Sequence, residues 1–222
     1  MRIPNKINPD PILDAMLYIE YEKIEATTYS AILAEALKTF DLVEFSQNSN
    51  RKDIIFLHNQ DYYFTFSNEQ IILGHYNLYS GWVAFRNQIN NIIELLSKFG
   101  LSSMKYYLRY INFFPEGNIS EKYMNILFSI DIGDYEIVPE KNIRFIMQNN
   151  ECIHIITLAE KAKIKIDKFP KKDGLVIDIQ SKPKSTYEKL QIDHIDSLHM
   201  QEKVIFFGVI KDELLRNCSI EL

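Results

Sequence analysis

With 222 residues, a mass of 26.2 kDa and 46% hydrophobic residues, the chain suits one large domain or two closely packed halves. A net charge of −5 argues against a general nucleic-acid coat, and no stretch approaches the ~18 consecutive apolar residues of a membrane span. Met1-Arg2-Ile3-Pro4-Asn5-Lys6 lacks the apolar run of a secretory signal, so a soluble cytoplasmic protein is expected, with Cys152 and Cys218 as reduced thiols.

Asn8-Pro9-Asp10-Pro11 is an extended lead-in, because each proline keeps its predecessor out of the helical region. Ile12 to Glu22 reads as a strand buried largely on both faces. The Thr27-Thr28 pair is placed to cap a helix whose stripe is Tyr29, Ile32, Leu33, Ala36, Leu37 and Phe40, ending near Asp41. Short strands follow at Leu42–Phe45, Ile54–His58, Tyr62–Ser67 and Gln70–Tyr76, the last two joined by a Ser67-Asn68-Glu69 turn. A second helix carries Trp82, Phe85, Ile89, Ile92, Ile93 and Leu96 on one side and stops at Gly100. Met104 to Phe114 is the clearest strand. It places Met104, Tyr106, Leu108, Tyr110, Asn112 and Phe114 on one face and Lys105, Tyr107, Arg109, Ile111 and Phe113 on the other.

Beyond Pro115-Glu116-Gly117-Asn118, strands are expected at Asn125–Asp131, Asn142–Gln148, Cys152–Leu158 and Leu175–Gln180, with an Asn149-Asn150 hairpin turn. A closing helix runs from about Ile192 to Arg216, with Ile195, Leu198, Ile205, Val209 and Leu214 on its core face. Hairpin-length connections predict an α+β protein with mainly antiparallel sheets. The pattern divides into two loosely pseudo-repeated halves, 1–116 and 117–222, each a sheet with a long amphipathic helix packed on one face, together forming one globular unit.

Nucleotide-binding loops, the nucleophile elbow and the zinc-protease helix motif are absent, and no cofactor or metal site is expected. His194 and His199 are five residues apart, about 500° around a helix, so their rings diverge and both are expected on the helix surface or at its start. Cys152 and His154 share a strand face, but their isoleucine neighbours favour inert packing over a nucleophile pair. An ordinary acidic turn accounts for Asp131, Asp134 and Glu136 as well as a cation site does.

Two features remain for binding. Arg109, with Asn112 beyond it, sits mid-strand, where a charge must reach solvent or an acidic partner. An ion-pair anchor to Asp14 or Glu20 is favoured over a guanidinium awaiting a phosphate or carboxylate. The span from Glu160 to Leu190 carries nine lysines against five acids, including Lys163, Lys165 and Lys168. Such a run is usually a solvated face; the alternative is a docking surface for an acidic partner or a phosphate backbone.

Asn8-Pro9-Asp10-Pro11-Ile12-Leu13-Asp14-Ala15 resembles the N-P-P-[IL]-x-E-A opening of a sporadically distributed bacterial family of conserved hypothetical proteins. Tyr79-Ser80-Gly81-Trp82 is similar to that family's Y-x-x-W helix start, and Leu108-Arg109-Tyr110-Ile111-Asn112 to its L-R-Y-I-N strand. Leu198-His199 followed by Val204-Ile205-Phe206-Phe207 is similar to its C-terminal L-x-H…F helix. The chain departs at Asp14, usually Glu, and at Asp10, usually Pro; the shorter acid changes the reach of any pair with Arg109. The resemblance implies an accessory or defence-associated gene, such as an antitoxin-like, immunity or sensor component. The expectation is therefore a non-enzymatic protein-binding or regulatory protein, with nucleic-acid or nucleotide binding through the Lys161–Lys189 segment as the alternative.

Overall fold

A computed structural model of the chain describes residues 6–8, 10–44, 54–75, 79–101, 104–115, 118–120, 122–126, 142–164, 172–216 and 218–221. Strands β1 (Lys6–Asn8) and β2 (Ile12–Glu20) precede helix α1 (Ala26–Thr39). Four short strands follow: β3 (Val43–Glu44), β4 (Ile55–His58), β5 (Tyr62–Phe66) and β6 (Gln70–His75). Helix α2 (Trp82–Lys98) and strand β7 (Lys105–Phe114) complete the first half. The second half holds β8 (Asn142–Gln148), β9 (Cys152–Ile164), β10 (Lys172–Pro183), helix α3 (Ile192–Val209), a 3-10 turn at Asp212–Leu215 and β11 (Ser219–Glu221).

The α+β class stands: three helices accompany a nine-stranded sheet in the order β3-β4-β5-β6-β2-β7-β10-β9-β8, every pair antiparallel. The expected halves contribute six and three strands, and the pairing of β7 with β10 makes them one continuous sheet. A separate two-stranded sheet joins β1 to β11, a pairing of distant short segments with no periodic signal.

Alternation puts one face of every strand toward the helices. Ala15, Leu17, Ile19, Phe64, Phe66, Ile71, Leu73, Tyr106 and Leu108 pack with Ile32 and Ala36 of α1 and Phe85, Ile89, Ile92 and Leu96 of α2. A second cluster joins Ile156, Leu158, Leu175, Ile177 and Ile179 to Phe206 and Val209 of α3. All three helices therefore cover the same face.

Several ends differ from the sequence expectation. α1 begins before Thr27-Thr28, which lie inside its first turn, and Glu25 at its cap makes no side-chain bond. Asp41, at φ 50°, turns the chain out of that helix. α3 ends at Val209, short of Arg216, and the side chain of Asn125 caps it by donating to the carbonyls of Gly208 (3.0 Å) and Ile210 (2.9 Å). Asn125 and Ile126 thus belong to no strand, and the rest of the expected Asn125–Asp131 strand lies outside the described residues. Gly100, at φ 65°, ends α2 where expected. Among the described residues no helix is long and apolar enough to cross a membrane.

Candidate functional site

Arg109 projects from β7 onto the face of the sheet opposite the helices. Its Nε and Nη2 donate to the two carboxylate oxygens of Asp178 on β10, at 2.9 and 2.7 Å. This corrects the expected partner: the guanidinium is an anchor, but neither Asp14 nor Glu20 pairs with it. β2 lies on one side of β7 and β10 on the other, and the planar fork finds its bidentate match one diagonal step along β10. Glu20 lies at the end of β2 opposite Lys105, exposed, and out of Arg109's row.

Asp14 stays on the same face without an ion pair. Its Oδ2 accepts a hydrogen bond from the Tyr63 hydroxyl (3.3 Å), and Oδ1 is buried. Burial raises its pKa to about 6, against the smaller opposing effects of the Tyr63 bond, backbone hydrogen bonds from His75 and Ala15, and the Arg109 charge. Tyr63 reaches Asp14 because its ring lies over Gly74, where a Cβ would stand 2.2 Å from the ring.

Strand registers show how far this open face extends. Phe56, Thr65, Ile72, Tyr18 and Tyr107 are successive cross-strand partners over five strands, with Tyr18 and Tyr107 stacked at 4.1 Å. A second row runs His58, Tyr63, Gly74, Met16, Arg109, Gln180, Ile155 and Ile146. A third holds Asp14, Ile111, Asp178, Thr157 and Arg144. The result is a broad surface of aromatic and aliphatic side chains, with charge placed near its middle and none of the helices over it.

The other predicted contacts do not join this surface. Asn112 is buried on the helix side, its amide donating to the Ile177 carbonyl at 3.3 Å. Lys163 stands in β9 opposite Asp173 of β10; Lys165 and Lys168, like Asp131, Asp134 and Glu136, lie outside the described residues. Lys172 pairs with Ile164 at one end of the β9–β10 hairpin and Lys182 with Ile153 at the other, about 33 Å apart along the strands. The described lysines therefore do not form one continuous track.

Beneath α3 the helix-covered face holds a polar layer that the sequence reading missed. The Tyr110 hydroxyl meets His199 Nδ1 at 3.0 Å and the Tyr79 hydroxyl at 3.4 Å, and the His199 ring stacks on Trp82 at 3.9 Å. His199 is thus buried, correcting its expected surface position, while His194 packs on Tyr187. Both Trp82 and Arg86 donate to Asp196, Arg86 through a bidentate fork, which ties α2 to α3. Glu202 is 3% exposed, and its carboxylate lies beside Ser181, whose hydroxyl bonds His154 at 2.7 Å. Burial holds the Glu202 pKa well above the carboxylate range and lowers His199 to about 3 and His75 to about 4. Burial thus disfavours the charged forms of Glu202, His199 and His75, while Arg86 and Asp196 carry their charges as a pair. The layer's side chains bond one another and fasten α2 and α3 to the sheet.

Cys152 and His154 also lie on the covered face. His154 bonds Ser181, Gln201 donates to the Cys152 sulfur at 3.6 Å, and burial raises the thiol pKa. That geometry keeps the cysteine a packed thiol. Among the described residues, no three His, Cys, Asp or Glu side chains are grouped to hold a metal ion.

The fold and its open face define an α+β protein with a one-sided antiparallel sheet. No protein-family model matches the chain, and no curated protein matches it significantly.

Proposed function

We propose that the protein is a non-enzymatic binding or regulatory component that docks another protein onto the open face of its sheet. The observation that carries this reading is the face that none of the described helices covers, with Phe56, Tyr18, Tyr107, Ile111 and Arg109 presented across neighbouring strands. Tyr, Phe, Met and Arg are the side chains enriched at protein interfaces. The Arg109–Asp178 pair bridges β7 and β10 on that surface while leaving both groups partly exposed, at 31 and 20% of their side chains. A role in an accessory or defence-associated locus, including a toxin–antitoxin type locus, rests on the motif resemblance and fits such a component. The basic segment gives less support to nucleic-acid binding, because its described lysines stand at opposite ends of a hairpin.

Purification of the tagged chain from its native host under mild salt tests the proposal. A stoichiometric second polypeptide is expected with the wild type and with Val83→Lys on the outer side of α2. It should be lost with Phe56→Lys and Tyr107→Glu. Retention by all four proteins, or a preparation containing this chain alone, would contradict the reading.

A further inference from the structure

The two edges of the sheet are finished differently. β3 is two residues long and offers little to a further strand. β8 at the opposite edge has seven residues, and its outer side pairs with no strand among those described. It carries no proline, glycine or lysine, has no bulge against β9, and bears a single charge, Arg144. Ile146 is 63% and Met147 43% exposed.

The adjoining hairpin fixes which backbone groups point outward. The Asn149 N–H donates to the Cys152 carbonyl across the turn at 3.1 Å. Antiparallel alternation then makes Ile143, Phe145 and Met147 the residues bonded to β9. It turns the N–H and C=O groups of Asn142, Arg144, Ile146 and Gln148 away from the sheet.

We infer that β8 of a second copy occupies this edge, antiparallel about a two-fold axis at Phe145. The strand Asn-Ile-Arg-Phe-Ile-Met-Gln is self-complementary in that register. Asn142 faces Gln148 as carboxamide to carboxamide, and Ile143 faces Met147. Arg144 falls opposite Ile146, whose side chain its methylene stem covers. An axis at Arg144 would set the guanidinium groups opposite each other. The Phe145 axis engages all seven residues, pairs outward-bonding residues only with one another, and forms about eight backbone hydrogen bonds. Two-fold closure uses the β8 edge of both copies, and among the described residues the other edge of the nine-stranded sheet is the two-residue β3. The open faces of both copies become one surface, joined where their rows end at Ile146 and Arg144.

Sedimentation equilibrium over a wide concentration range tests this with the full chain. The wild-type mass is expected to rise toward twice 26.2 kDa. Ile146→Lys, which sets lysine opposite Arg144 twice per dimer, should weaken association about tenfold. Ile146→Glu, which sets a carboxylate there, should match or exceed the wild type. The exposure of Ile146 lets both variants fold, and circular dichroism verifies it. Hydrogen exchange should find the Arg144 and Ile146 amides protected in the wild-type dimer and fast in Ile146→Lys. A wild-type mass that stays at 26.2 kDa, equal dissociation constants for the two variants, or unprotected edge amides would overturn the inference.

Discussion

Arg109 and Tyr110 are neighbours in β7 and meet opposite environments. Tyr110 is buried against α3, in a layer where burial disfavours the charged forms of His199 and Glu202. Arg109 keeps a full charge, matched by Asp178, on a face the helices leave open. The difference separates two tasks within one sheet. The covered face supplies the burial that folds the chain, and the open face is held in shape by a few specific contacts while remaining available.

The largest expected effect is on the covered face. Phe64 is fully buried against Phe40 and Phe66, and Phe64→Ala should cost about 3–5 kcal/mol in a denaturant titration. The corresponding truncation Tyr107→Ala, on the half-buried open face, should cost about 1 kcal/mol. Equal losses would erase the distinction between the faces.

On the open face the strongest effect should come from the ion pair. Asp178→Ala strands a partly buried guanidinium and should cost about 2–3 kcal/mol. The double change Arg109→Leu with Asp178→Leu should cost less than Asp178→Ala alone, because it leaves no unpaired charge. Additive losses would show that the pair is not coupled.

Asp14 sharpens the comparison through pH. Its pKa is raised from 3.8 to about 6, so the folded state holds a proton that the unfolded chain releases. Stability is unpenalised below the unfolded value, falls as pH rises from about 4 to 6, and stays reduced above that. Asp14→Asn should remove this decline and be more stable at pH 7 by on the order of 2 kcal/mol. Identical pH profiles for the two proteins would refute the assignment.

Glu202 gives the covered-face counterpart. Its raised pKa means the stability cost is absent below the ordinary glutamate pKa and grows as pH rises above it. Glu202→Leu should gain about 1–2 kcal/mol near pH 8 and less near pH 4. A loss at pH 8 would show that the carboxylate is satisfied within the layer.

Much of this contrast was legible in the sequence. Strict alternation from Tyr106 to Phe114 assigned both faces of β7 correctly, including the face of Arg109. The stripe of α2 and its stop at Gly100 needed only local spacing. Asp178 was missed as the partner because alternation gives a residue's face but not which strands pair, and β10 becomes the neighbour of β7 only through long-range assembly. The signal for Glu202 was present: it lies seven residues from both Ile195 and Val209, on the same helical face. A charged residue at that position was passed over because burial normally excludes one. The nine lysines read as one segment because hairpin geometry, which separates the described ones, is invisible to a count along the chain.

The division of tasks is tested most directly by Phe56→Lys, measured for thermal midpoint and partner recovery on the same preparation. Phe56 is 39% exposed on the open face, so the midpoint should stay close to that of the wild type while the stoichiometric partner is lost. A lysine variant that keeps its partner in full, or that loses its fold, would contradict a sheet whose open face binds and whose covered face supplies most of the burial that folds the chain.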